Sequence, residues 1–280
     1  MSHLSDIGFG FQGPGDFYAF VETVVNETTN RVYPTANGFY VVWTPGAGVD
    51  LWIQAGKNLQ LTGVGLHFTG EGRLRVHVTQ SSPSDIDPMH GCLYAWANPQ
   101  DEDNPYSGDY PLMVATPNFD FVENAVLEHP VVDCQIAAFV EEELRCWTLP
   151  TFLSTGQAEE DIALFQSDCQ DADAAEEPTP HAQVRGTVLK LETRVNEVSG
   201  NEFYWAVVQT VGGTIDIVAD PAVVVGTLVE GGIVEARCWL SALVLTGVPV
   251  ESVPIAPVES AFRNKRLARA RNRSNKVQEP

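Results

Sequence analysis

Lysine is nearly absent from this chain, with four in 280 residues. No uncharged apolar run approaches the roughly 18 residues that a bilayer-crossing helix needs, so no membrane span is expected. Residues 1–6 lack both a basic stretch and an apolar stretch, so no secretory signal is expected. The five cysteines, Cys92, Cys134, Cys146, Cys169 and Cys238, are scattered and odd in number, with no Cys-x-x-Cys pair. That excludes a regular disulfide framework and a thiolate zinc or redox pair, and it favours a reducing, cytoplasmic setting. Gly-x-x-x-x-Gly-Lys-Ser/Thr, Gly-x-Ser-x-Gly and His-Glu-x-x-His are all missing. A phosphate cradle, a nucleophile elbow and a zincin helix each lose their carrier.

Acid dominates what is present. The net charge is −21, unevenly spread. Residues 263–280 hold seven of the sixteen basic residues and one of the 37 acids, a net +6. The other nine basic and 36 acidic residues leave the rest of the chain at −27. A body this negative repels phosphate backbones, whose binding requires neutralising Lys and Arg contacts. Solubility and a saline interior are the plain explanations for the acidity.

Strand patterning is clearest toward the C-terminus. Residues 183–195 form a long alternating run, followed by a turn cluster at 196–201 and an aromatic, β-branched run at 202–209. Gly212-Gly213 makes a tight turn into the run 214–219, which Asp220-Pro221 stops. Residues 233–244 alternate: Val234, Ala236, Cys238, Leu240, Ala242 and Val244 share one face, and Ile233, Glu235, Arg237, Trp239 and Ser241 the other. Over residues 181–247 this pattern resembles an OB-fold, a small five-stranded Greek-key barrel. An SH3-like barrel or a small sandwich carries the same strand spacing.

A weaker copy lies near 18–79. Residues 23–27 match 193–197 at four of five positions, Phe39-Tyr40 parallels Phe203-Tyr204, and 44–51 parallels 210–217, with offsets between 164 and 170. Shared turn residues favour duplication over chance likeness of strands. Beyond the copy, residues 63–68 and 73–79 read as a hairpin around 69–72, and 131–147 as a strand pair around 141–143 or a helix. The fold expected is mainly β, with two small OB-like Greek-key barrels, the first elaborated. A Gly-rich arm spans 1–17, the elaborated domain 18–156, an acidic linker 157–180, the second barrel 181–256 and a basic tail 257–280. The linker holds eight acids and no Lys or Arg, which favours an extended segment.

Few residue groups suggest chemistry. Gly8-Phe9-Gly10-Phe11-Gln12-Gly13 matches the dinucleotide pattern, but no strand precedes it and Pro14-Gly15 follows. His67, His77 and His90, with Cys92, could ligate a metal, but they sit among apolar strand residues and the set is incomplete. The run 101–109 is rich in oxygen ligands but departs from a calcium loop, and a solvated acidic loop explains it. No catalytic residue, metal or cofactor is assigned. Arg237 and Trp239 on one strand face, with Phe203 and Trp205 on the next strand, are the ligand or partner candidates. OB barrels bind on such aromatic faces, although burial against another part of the chain or a second chain is the competing placement. In the tail, Arg263, Lys265, Arg266, Arg269, Arg271, Arg273 and Lys276 are candidates for polyanion binding, for clamping onto an acidic body, or for solubility alone.

The function expected is a non-enzymatic interaction or assembly protein that engages a protein partner or itself. The alternatives are a single-stranded nucleic-acid-binding protein using the barrel and the tail, and a hydrolase or isomerase with its site between the halves.

Overall fold

A computed structural model describes residues 2–25, 31–58, 60–85, 87–170 and 178–245. The strands are β1 Arg31–Pro34, β2 Gly38–Gly46, β3 Val49–Gly56, β4 Leu61–Phe68, β5 Leu74–Pro83, β6 Gly91–Ala97, β7 Tyr110–Ala115, β8 Val131–Val140, β9 Leu144–Trp147, β10 Leu164–Ser167, β11 His181–Val195, β12 Glu202–Thr210, β13 Gly213–Ala219, β14 Val224–Gly226 and β15 Ile233–Val244. Three helices interrupt them: α1 Pro14–Val24, α2 Phe119–Glu128 and α3 Leu149–Ser154. The chain is mainly β, as its alternating runs imply.

The strands form two sheets. β1 to β4 make a four-stranded antiparallel meander, and the other eleven strands make one continuous sheet. Within the larger sheet β11 pairs with β12, β12 with β13, β13 in parallel with β8, β8 with β15, and β15 with β11. The pairings return to their start. The alternating row of β15 explains why: Val234, Ala236, Cys238, Leu240, Ala242 and Val244 all turn into one core, against Ala206, Val208, Ile215, Ile217, Ile136 and Ala138. The valine, leucine and isoleucine side chains among them are each worth about 1.5–3 kcal/mol when withdrawn from water.

The strands paired in this way come from both sides of residues 157–180, β8 among them pairing with β13 and β15. Residues 131–147 are strand, not helix, and do not fold back as a pair. β8 and β9 run consecutively along β15, the register advancing by two residues between them. Residues 69–72 do not close a hairpin either: β4 ends in the small sheet and β5 begins in the large one. The expected linker contributes an edge strand, β10, paired antiparallel to β11.

A second core fills the space between the small sheet and the outer face of the ring. Val41, Trp43, Leu51, Ile53 and Phe68 meet Phe139, Phe203, Trp205 and Val218 there, with Leu4, Ile7 and Phe9. The N-terminal residues thus pack rather than trail as an arm. Ser2–Ile7 forms a 3-10 turn. The Asn196 amide donates to the Ile7 carbonyl at 2.7 Å, and Ser199 Oγ and Asn201 Nδ2 donate to that of Gly8. Gly8 has φ +82°, and a Cβ there would stand 2.7 Å from Asn196 Cβ, so glycine suits it for both reasons. Pro14 starts α1, which turns Val21 and Val24 inward. The segments of the suspected duplication fall in different sheets, 38–56 in β2 and β3 of the small one and 202–219 in β12 and β13 of the large one. Residues 23 and 24 close a helix, whereas 193–195 close strand β11.

Candidate functional site

Three parts of the large sheet place polar side chains on one outward patch. His181 on β11 stands opposite Trp239 on β15, and Gln183 opposite Arg237. Glu141 follows β8 immediately, and its backbone N–H donates to the Arg237 carbonyl at 3.0 Å. The strand period of two therefore puts Arg237 and Trp239 on the face opposite the core, and the adjacent strands bring His181 and Glu141 beside them. The N-terminal turn lays His3 over this group. Its ring stacks on Trp239 at 4.9 Å and 18°, and meets Phe139 edge-on.

The contacts form a chain. Arg237 donates both terminal nitrogens to Asp168, at 3.1 and 2.8 Å, and its Nε lies 3.1 Å from Glu141 Oε2. Glu141 Oε1 is 3.1 Å from His181 Nε2. The other nitrogen of His181, Nδ1, is 2.8 Å from Thr179 Oγ1, whose hydroxyl donates to Asp168 Oδ2 at 2.8 Å. Burial alone would raise the Asp168 carboxyl; Arg237 and Thr179 outweigh it and hold it below its ordinary value. Burial pushes His3 down to about 4 and the neighbouring Asp6 carboxyl up to about 8. Among the described residues, one group of His, Cys, Asp and Glu has its ligand atoms close enough for an ion: His3, Glu141 and His181, within 4.8 Å of one another.

A second polar group lies under the small sheet. Gln135 Nε2 donates to the Phe68 carbonyl and to Asp216 Oδ2, which turns Gln135 Oε1 toward His67 Nε2 at 2.5 Å. His67 Nδ1 lies 2.9 Å from Ser241 Oγ, whose hydroxyl also reaches the Leu66 carbonyl at 2.9 Å, and burial pushes the ring down to about 4. Asp216 also accepts from Trp205 Nε1 and from the backbone N–H groups of Glu71 and Gly72. The loop 69–72 docks here. Ser241, His67 and Gln135 have the order of a nucleophile relay, but all three are buried to 1% exposure or less.

The four barrel candidates separate. Arg237 is exposed and Trp239 half-buried. Phe203 and Trp205 are fully buried in the second core, the burial against another part of the chain that the sequence also allowed, so they do not stand on an open ligand face. The outer face of β12 is covered by the chain's own N-terminal residues and small sheet. Arg194 and Lys190 lie over the Trp205 ring at 3.8 and 4.6 Å, so this chain supplies the cation that a ligand face would offer. Arg263, Lys265, Arg266, Arg269, Arg271, Arg273 and Lys276 lie outside the described residues. His67, His77 and His90 do not converge. His90 faces Gln54 instead. The 101–109 loop is tied by its own turns, with Asp101 and Asn104 accepting backbone N–H groups.

Sequence reasoning found Arg237 and Trp239 through strand alternation, but it missed His3, Glu141, His181, Asp168 and Thr179. The first three come from the N-terminus, the end of β8 and the start of β11, and no local spacing joins them. Comparisons with family models, with curated proteins and with solved structures found no match.

Proposed function

We propose that this is a non-enzymatic assembly protein whose acidic β body captures a cationic segment, the 263–280 stretch of a neighbouring copy. The observation that carries the reading is electrostatic. Arg75, Arg145, Arg185, Lys190, Arg194 and Arg237, six of the nine basic residues outside the tail, are held against carboxylates of the same body. The remaining acids dominate its field, and a segment of net +6 complements it. The five-strand ring, with its parallel β13–β8 pair, supports an OB-like barrel as the scaffold. Its usual ligand face is spent on internal packing, which removes the aromatic platform from the nucleic-acid alternative.

Light scattering after size exclusion tests this on the full chain at about 50 mM and about 500 mM NaCl, ionic strengths that change the screening length several-fold. Association at low salt that is lost at high salt, and lost when the seven tail cations are replaced by glutamine, is the expected result. A strict monomer at every concentration and salt sinks the reading.

A further inference from the structure

We propose that His3, Glu141 and His181 form a binding site for one divalent transition metal, zinc by its donor set of two imidazoles and a carboxylate. This goes beyond the assembly reading and stands whether or not that holds.

Hydrogen-bond accounting carries it. The single hydroxyl proton of Thr179 goes to Asp168, so toward His181 Nδ1 the Thr179 oxygen accepts, and Nδ1 carries the hydrogen. In the neutral ring Nε2 is then a bare lone pair, and it faces a carboxylate oxygen 3.1 Å away. Two lone pairs at that distance call for a cation between them, a second ring proton or a metal ion, and a metal is the one that also engages His3. A metal bonded at about 2.1 Å to both atoms would subtend an angle of about 95–100° there, between octahedral and tetrahedral values. The arrangement Asp168–Thr179–His181 is also the outer support that metal-bound histidines carry.

A second, independent observation comes from the N-terminal turn. Asp6 has a side chain only 2% exposed, and its Oδ2 has no hydrogen-bond partner. It lies 4.0 Å from His3 Nδ1, which is buried and equally unpartnered. That gap exceeds a hydrogen bond. The three ligand atoms lie within 4.8 Å of one another, and the His181–Glu141 pair, at 3.1 Å, is already inside the roughly 3.4 Å edge of a filled tetrahedron. A metal that draws His3 inward closes the triangle, with Nδ1–H left facing Asp6 as Nδ1–H of His181 faces Thr179. Three protein ligands at side-chain exposures of 18–25% leave a further coordination position open to water.

The test titrates the untagged full chain with Co2+ and Zn2+, following Co2+ visible absorption and its displacement by zinc. One ion per chain with the strong visible bands of a four- or five-coordinate site is expected, with loss in His181→Ala and Glu141→Gln. Retention is expected in His129→Ala, which removes an exposed histidine elsewhere. Thr179→Val is expected to weaken binding about 10–100-fold without removing a ligand. Circular dichroism establishes that each variant is folded, and the wild-type cobalt spectrum stands independently of any variant. No stoichiometric ion in the wild type overturns the proposal, as does binding that survives His181→Ala and Glu141→Gln.

Discussion

His67 shows how a single buried side chain sets a pH response. Burial keeps its ring neutral in the folded state, with the pKa down at about 4, while in the unfolded chain it titrates near 6.5. Between those values the unfolded state binds the extra proton, so this residue's contribution falls as pH falls. Asp50 and Asp6, raised to about 6 and about 8 by burial, act with the opposite sign, losing stability as pH rises. The informative quantity is therefore the difference between wild type and His67→Gln. Urea denaturation should show the wild-type advantage shrinking by about 2 kcal/mol between about pH 7.5 and about pH 5. An unchanged difference would mean that His67 is not neutral and sealed. None of this was legible in sequence, where His67 read as one of three strand histidines. Its partners Gln135 and Ser241 lie 68 and 174 residues away.

Among the elements, β11 bears the most constraint. Residues 181–187 pair with β15 and 187–195 with β12, with an irregularity between Val188 and Lys190. Gly186 sits where these pairings meet, and a Cβ there would run into the Gln209 backbone carbonyl and Val208. A strand carbonyl held in a ladder cannot step aside. Gly186→Ala should lower stability by about 1–3 kcal/mol. Gly15→Ala, in α1 with nothing within 4 Å of the new methyl, should be neutral or stabilise by up to about 1 kcal/mol. Thermal melts of the two variants decide it; equal effects would refute the packing argument. At this scale the sequence was most readable. The runs at 183–195, 202–209, 214–219 and 233–244 became β11, β12, β13 and β15 with bounds moved by two residues at most. Period-two alternation is a local signal, and the helix α1, hidden behind glycines and a proline, had no equally plain one.

At the scale of the molecule, excess negative charge works against compactness. A body of −27 repels itself, and salt shortens that repulsion from about 10 Å reach at 0.1 M to about 3 Å at 1 M. The melting temperature should therefore rise steadily with NaCl, measured at a concentration where the chain is monomeric. A fall with salt would show that the internal ion pairs outweigh the repulsion. Deep burial of the N-terminal turn adds a second whole-molecule feature: Leu4, Ile7 and Phe9 close the core between the two sheets.

The sequence by itself determined the β character, the inward row of β15, the outward place of Arg237 and Trp239, and the charge contrast between body and tail. These follow from composition and from neighbours one or two residues apart. Tertiary structure alone decided that β8 pairs with both β13 and β15, that Phe203 and Trp205 are sealed, and that His3, Glu141 and His181 meet. Those outcomes depend on which distant surfaces bury one another, and apolar burial is non-directional, so a linear pattern does not specify its partner.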